Sequence, residues 1–193
     1  MKSRALLIVL FSLWACASPG GQAVLDEKSL SNTKRAYKVE FLATLSRLMG
    51  KEIAADDPKA IQAAEAFFAV DAAKSYAFTR IHGVALQFCA DDDALKAAME
   101  RYKSAAKILI ALGEMYYGEG FEFIVGDQTM AKTGRELSDA LNEMLAGIEQ
   151  EYRNATPQEV QNRCHESRNA LTALADFYGG GDTIPASGDA TPE

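Results

Sequence analysis

The stretch Gln87-Phe88-Cys89-Ala90-Asp91-Asp92-Asp93 decides the fold that the sequence predicts. It ends one long apolar helix and begins another, because aspartate is a good helix-capping residue and complements the positive end of a helix dipole. It also carries Cys89, one of three cysteines in the chain. The stretch therefore predicts a junction between two helices that a disulfide can tie to a distant part of the chain.

Helical periodicity flanks this junction on both sides, with apolar residues at spacings of three and four. Asp57-Pro58 is a start signal for the second helix, and Thr156-Pro157-Gln158-Glu159 is a capping box for the last. The run from Phe121 to Val125 is the only β-like segment, and five residues cannot form a sheet alone. The sequence predicts an all-α, antiparallel up-down bundle of about five helices, which begin near residues 31, 58, 91, 128 and 157.

The first sixteen residues have the composition of an export signal. A basic start, Met1-Lys2-Ser3-Arg4, precedes an apolar run from Ala5 to Trp14 that is too short to span a bilayer. The run ends in Leu13-Trp14-Ala15-Cys16, which resembles the lipobox of bacterial lipoproteins. The resemblance implies lipidation of Cys16 and, because Ala17 rather than aspartate follows, the outer membrane.

Ordinary secretion stays open as the alternative, with cleavage at Ala15-Cys16-Ala17 or Gly21-Gln22-Ala23, as does an uncleaved anchor. In the lipoprotein interpretation the chain divides into four segments. These are a signal at 1–16, a flexible tether at 17–30, a helical bundle at 31–179 and a disordered tail at 180–193.

Export also decides the pairing of the cysteines. Cys16 is either lipidated or removed, which leaves Cys89 and Cys164. Two remaining cysteines usually pair in an oxidising compartment, so we expect a disulfide between them. The alternative is two buried free thiols that pack as small apolar residues.

The charge of the chain limits its partners. It has 20 Lys and Arg against 27 Asp and Glu, and removal of Lys2 and Arg4 with the signal leaves 18 against 27, a net charge of −9. Nucleic acid and anionic lipid both need a basic footprint, so neither is expected as a partner. Contact with the membrane is expected through the lipid anchor only.

One aromatic stretch between glycines is the candidate partner-binding site. Tyr116, Tyr117, Phe121 and Phe123 are placed by the sequence in a connection between helices. Aromatic side chains on a loop suit the binding of a partner or ligand. The alternative is that the phenylalanines close the end of the bundle as part of its core.

No set of residues indicates catalysis or a metal site. His82 and His165 have no further ligand at a suitable spacing, so both are expected at the surface and no cofactor is predicted. Asp71 and Lys74 are spaced to pair on one helix face, either in solvent or as a small polar site. Gly83 indicates a kink or a close crossing of helices.

The sequence therefore predicts a non-enzymatic module of the bacterial cell envelope. It is expected on the periplasmic side as an outer-membrane lipoprotein, or otherwise as a soluble periplasmic or secreted protein. Its expected partner is another envelope or secreted protein, as for an inhibitor, immunity or accessory protein. The alternative is a periplasmic carrier of an apolar small molecule or haem in the bundle interior, and a hydrolase is the third hypothesis.

Overall fold

The computed structural model describes residues 26–125 and 128–179, and it gives only the backbone of 123–125. The elements are α1 Glu27–Met49, α2 Pro58–Phe88, α3 Asp93–Ala105, α4 Lys107–Glu119, β1 Gly120–Val125, β2 Gln128–Thr133, α5 Gly134–Asn154 and α6 Pro157–Gly179. The predicted all-α bundle is confirmed. The predicted signal segment with Cys16, most of the predicted tether and the predicted C-terminal tail lie outside the described residues.

Side-chain caps begin the helices at the positions that the sequence indicates. The Asp57 carboxylate accepts hydrogen bonds from the backbone N–H groups of Lys59 and Ala60, and Pro58 occupies the first turn. Asp92 caps α3 in the same way, by accepting from the Leu95 N–H at 2.9 Å. Each cap satisfies backbone donors that the first turn of a helix leaves without partners.

The first helix, α1, begins earlier than the sequence predicts, at Glu27 rather than at Ser31 or Asn32. Asp26 is the reason, since its carboxylate accepts from the backbone N–H groups of Lys28 and Ser29. The last four residues of the predicted 17–30 tether are therefore helical.

The predicted third helix is two helices. α3 ends and α4 begins at Ala106, whose φ of −99° and ψ of 16° depart from helical values. α3 packs chiefly against α6, whereas α4 packs chiefly against α2. The break thus lets residues 93–119 pack against α6 with their first half and against α2 with their second half.

The predicted start of the fourth helix after Gly126-Asp127 was wrong. Residues 128–133, including Met130, form β2, which pairs antiparallel with β1 so that Val125 lies opposite Gln128. α5 begins only at Gly134, because Thr133 and Glu136 form a capping box there. β1, which the sequence indicated as β-like, is thus stabilised by a second strand rather than left alone.

A disulfide joins Cys89, directly after α2, to Cys164 in α6, with 6.0 Å between the two Cα atoms. The predicted pairing is confirmed. Beyond this bond, Arg168 of α6 lies near Asp92 at the start of α3, and Asp176 of α6 pairs with Arg101 of α3. Because the paired positions increase together, α3 and α6 run parallel.

Two buried clusters form the core, and α2 contributes to both. Around the disulfide, a cluster from α2, α3, α5 and α6 includes Leu95, Met99, Tyr102, Tyr152 and Leu171. The second cluster consists of Phe68, Ala72, Leu109 and Leu112, with Leu30 and Tyr37 of α1 packed over it. Within α1, Leu42 is the buried residue, so this helix lies over the core as its outermost layer.

The close helix crossing lies at Gly113 of α4 and not at Gly83. A Cβ atom on Gly113 would lie 2.1 Å from the Ala72 carbonyl oxygen of α2, whereas a Cβ on Gly83 would meet nothing within 4 Å. The crossing interpretation of Gly83 was therefore wrong.

Candidate binding groove

The four aromatic residues of the predicted binding site do not lie in a loop. Tyr116 and Tyr117 belong to the last turn of α4, and Phe121 and Phe123 belong to β1. The loop placement was therefore wrong, because α4 continues to Glu119 and β1 begins at once.

The structure brings only part of this set together. The rings of Tyr116 and Phe121 meet edge to face with centroids 5.9 Å apart, and both side chains are half-buried. Tyr117 points elsewhere and packs on Tyr76 of α2 at 5.1 Å, since neighbouring helix residues point about 100° apart. The side chain of Phe123 lies outside the described residues.

Tyr116 instead lines a cleft of about 610 Å³ between α1 and α2, which we call the α1–α2 groove. Tyr116 of α4 and Glu122 of β1 complete the lining. The residues that line the groove are Ser31, Lys34, Arg35, Tyr37, Lys38, Gln62, Ala64, Glu65, Ala66, Phe68, Ala69, Tyr116 and Glu122.

The floor of the groove is aromatic, and a ring contact and a hydrogen bond fix the position of Tyr37 in it. The ring of Tyr37 meets the buried ring of Phe68 edge to face, with centroids 5.1 Å apart. The Tyr37 hydroxyl donates a hydrogen bond of 2.6 Å to Oδ2 of Asp71. Burial and this carboxylate raise the pKa of Tyr37, so its hydroxyl stays protonated and remains a donor. The floor is thus a fixed apolar surface.

The predicted pair of Asp71 and Lys74 is not the contact that Asp71 makes. Asp71 accepts from Tyr37 across to α1, while Lys74 is exposed. Close by, the Tyr102 hydroxyl donates to the Ser75 carbonyl oxygen at 3.2 Å. Asp71 therefore links α2 to Tyr37 of α1 rather than to Lys74.

The rims of the groove carry opposite charges. Lys34, Arg35 and Lys38 of α1 form one rim, and Glu65 of α2 and Glu122 of β1 stand on the other side. Within residues 26–125 and 128–179, the three basic side chains form no ion pair with a carboxylate. Among the described residues, no carboxylate therefore neutralises the basic rim by a direct ion pair.

The basic rim was missed at the sequence level, although a signal for it exists. Ser31, Lys34, Arg35 and Lys38 follow the spacing of one helix face. α1 carries five basic and two acidic residues, a charge of +3, in a chain whose charge is −7. Counting charge for each predicted helix would have singled out α1.

A second cleft of about 800 Å³ lies at the disulfide end, between the α2–α3 junction and α6. It is lined by Asp91, Asp92 and Asp93 on one side and by His165 and Arg168 on the other. Asp92 already caps α3 and lies 3.8 Å from Arg168. In the part of the chain that the structure describes, no group of three or more His, Cys, Asp and Glu side chains is arranged to hold a metal ion.

The two histidines differ in their environment. His165 is exposed, as predicted, and contacts Arg168 and Asn169 on its own helix. His82 is buried, which corrects the prediction of a surface position, and its ring stacks on Phe78 with centroids 5.8 Å apart. Neither cleft is lined by His82.

Comparison of the chain with protein-family models, with curated proteins and with solved structures found no match. Among the described helices, none has both the length and the apolar character that a membrane crossing requires.

Proposed function

We propose that the protein is an exported envelope protein, tethered as a lipoprotein, that binds another envelope or secreted protein without catalysing a reaction. The α1–α2 groove is the proposed binding site. The observation that carries this proposal is the groove's aromatic floor, which Tyr37, Phe68 and Tyr116 form between two charged rims. Buried aromatic anchors surrounded by a polar rim are the usual anatomy of a protein-binding surface.

The groove favours a segment of a protein as its occupant. It lies between α1 and α2, and Tyr116 of α4 and Glu122 of β1 also line it. Such clefts accept a helix or an extended segment whose apolar side chains enter between the flanking helices. The Tyr37–Asp71 hydrogen bond already fixes the floor in the free protein, so the floor loses little conformational freedom on binding.

Export is supported by the N-terminal sequence and by the disulfide. Disulfides persist in the periplasm and outside the cell, and they are rare in reducing compartments. The Cys89–Cys164 bond fits the compartment that the signal segment and Cys16 indicate. Lipidation of Cys16 would place the bundle at the membrane surface without a spanning helix.

Site-specific photo-crosslinking in the cells that make the protein tests the proposal. A benzophenone side chain replaces Gln62 in the groove or, as a matched control, the exposed Glu143 on α5. We expect a protein adduct of one defined mass from position 62 only, and we expect Tyr116→Ala to weaken it. The same adduct from both positions, or none from position 62, would contradict the proposed site.

The carrier of an apolar small molecule or haem stays a prediction from the sequence. Native mass spectrometry of the purified protein addresses it directly. A bound molecule of constant mass that survives gel filtration would support the carrier and count against the protein-binding proposal.

A further inference from the structure

We infer that the partner presents an acidic segment with one apolar anchor residue, bound in the α1–α2 groove with its carboxylates against Lys34, Arg35 and Lys38. This inference rests on the proposed function, because it names the partner chemistry of the same site. It goes further in specifying the sign, the spacing and the side of the partner's charge.

The spacing of the basic rim determines the spacing of the acidic groups. Lys34 and Lys38 are one helical turn apart, which is about 6 Å along the axis of α1. Two carboxylates match this separation when they lie about two residues apart on an extended segment or four apart on a helix. Arg35 adds a planar donor between them that suits a bidentate contact with a carboxylate.

The other rim decides the orientation of the partner. Glu65 and Glu122 line the opposite side of the groove. A carboxylate placed there would meet like charge, so acidic residues are favoured only along α1. The aromatic floor between the rims then accepts the apolar anchor beside Tyr37 and Tyr116.

An acidic protein segment fits this site better than an anionic membrane does. A flat anionic surface that approached Lys34 would approach Glu65 and Glu122 at the same time. The chain as a whole carries −7, which adds repulsion over a broad surface. A narrow segment avoids both penalties because only one of its sides is acidic.

The test is selection of a random twelve-residue peptide library on the mature protein. The groove variant is Lys34→Glu with Arg35→Glu and Lys38→Glu. The control variant is Lys51→Glu with Lys59→Glu and Lys107→Glu, which makes the same change in net charge at exposed positions elsewhere. Circular dichroism verifies that both variants fold, and Lys34→Gln with Lys38→Gln serves as a milder variant.

We expect the wild type and the control to enrich peptides with an excess of Asp and Glu around one aromatic or aliphatic residue. The groove variant should bind the enriched peptide about ten-fold more weakly or worse, and added salt should weaken wild-type binding. An enriched pool without excess acidity, no enrichment at all, or equal loss in both triple variants would overturn the inference.

A second experiment measures binding of the same variants to vesicles that contain one-third phosphatidylglycerol. Vesicle binding that the groove variant loses and the control retains, without enrichment of acidic peptides, would also overturn it in favour of a lipid surface. The crosslink from position 62 distinguishes a failure of the inferred partner chemistry from a failure of the proposed binding function. If that crosslink forms while the enriched peptides are not acidic, the binding function stands and the inferred partner chemistry is wrong.

Discussion

His82 has a buried imidazole ring, and neither of its nitrogen atoms has a hydrogen-bond partner among the described residues. Burial lowers the pKa of His82 from its ordinary value of 6.5. As the pH falls through that value, the unfolded chain binds a proton at His82 before the folded protein does. The free energy of unfolding is therefore highest above pH 6.5 and falls as the pH falls.

We expect His82→Leu to flatten this fall between about pH 7 and pH 5, where wild type loses up to about 1.4 kcal/mol per pH unit. The substitution also removes two unpaired polar atoms, which cost about 1 to 3 kcal/mol when buried, so stability at pH 7 should not decrease. Urea titrations at several pH values measure both effects.

His165→Leu is the matched control, because it removes the other histidine of the chain at an exposed position on α6. Equal slopes for wild type and His82→Leu would contradict the account of His82. Carboxylates whose pKa is lowered by hydrogen bonds titrate below this window and do not interfere; these are Asp26, Asp93, Glu136 and Glu159.

At the scale of elements, two glycines in helices should respond in opposite directions to the same change. Gly113→Ala places a Cβ 2.1 Å from the Ala72 carbonyl oxygen, so α2 and α4 must separate. We expect a loss of about 1 to 3 kcal/mol in the free energy of unfolding. Chemical denaturation followed by circular dichroism measures it.

Gly83→Ala is the control, since its Cβ enters open space in the interior of α2. It should gain up to about 1 kcal/mol, because alanine favours the helix more than glycine does. A gain for both variants would mean that α2 and α4 do not cross closely at Gly113.

Helix starts were predictable because their signals are local. Asp57, Asp92 and Thr156 cap with their own side chains, and each signal spans four residues or fewer. The break at Ala106 has no such signal, since neither glycine nor proline lies there, and it follows from packing against α6 and α2. The hairpin was predictable in part, because two residues between short strands, Gly126-Asp127, are a hairpin signal.

At the scale of the whole molecule, a disulfide links two distant parts of the chain, and its pairing was predictable from the number of cysteines. The Cys89–Cys164 disulfide spans 75 residues of sequence. A loop of that length corresponds to about 4 to 5 kcal/mol in the chain-entropy treatment. We expect Cys89→Ser and Cys164→Ser to lower the melting temperature equally, and the double variant to lower it no further.

Scanning calorimetry without reductant measures these three variants, and wild type in reductant should match them. Additive losses in the double variant would be incompatible with one shared bond, since each serine would then act independently.

The candidate groove was predictable only in part, because it joins residues far apart in sequence. The aromatic stretch was visible in the sequence, and one of its four aromatic residues, Tyr116, does line the groove. Its partners Tyr37 and Phe68 occur as ordinary core residues of periodic helices, and only the fold places them beside Tyr116. The basic residues of α1 line a cleft only because α2 and β1 stand opposite.

We propose that this bundle acts outside the cytoplasm, tethered by a lipid and closed by a disulfide. The most direct test is the intact mass of the protein from the cells that make it, with thiol alkylation before and after reduction. We expect a chain that begins at Cys16 with added acyl mass, in which Cys89 and Cys164 are alkylated only after reduction. A chain that begins at Met1 and whose cysteines are alkylated without reduction would contradict it.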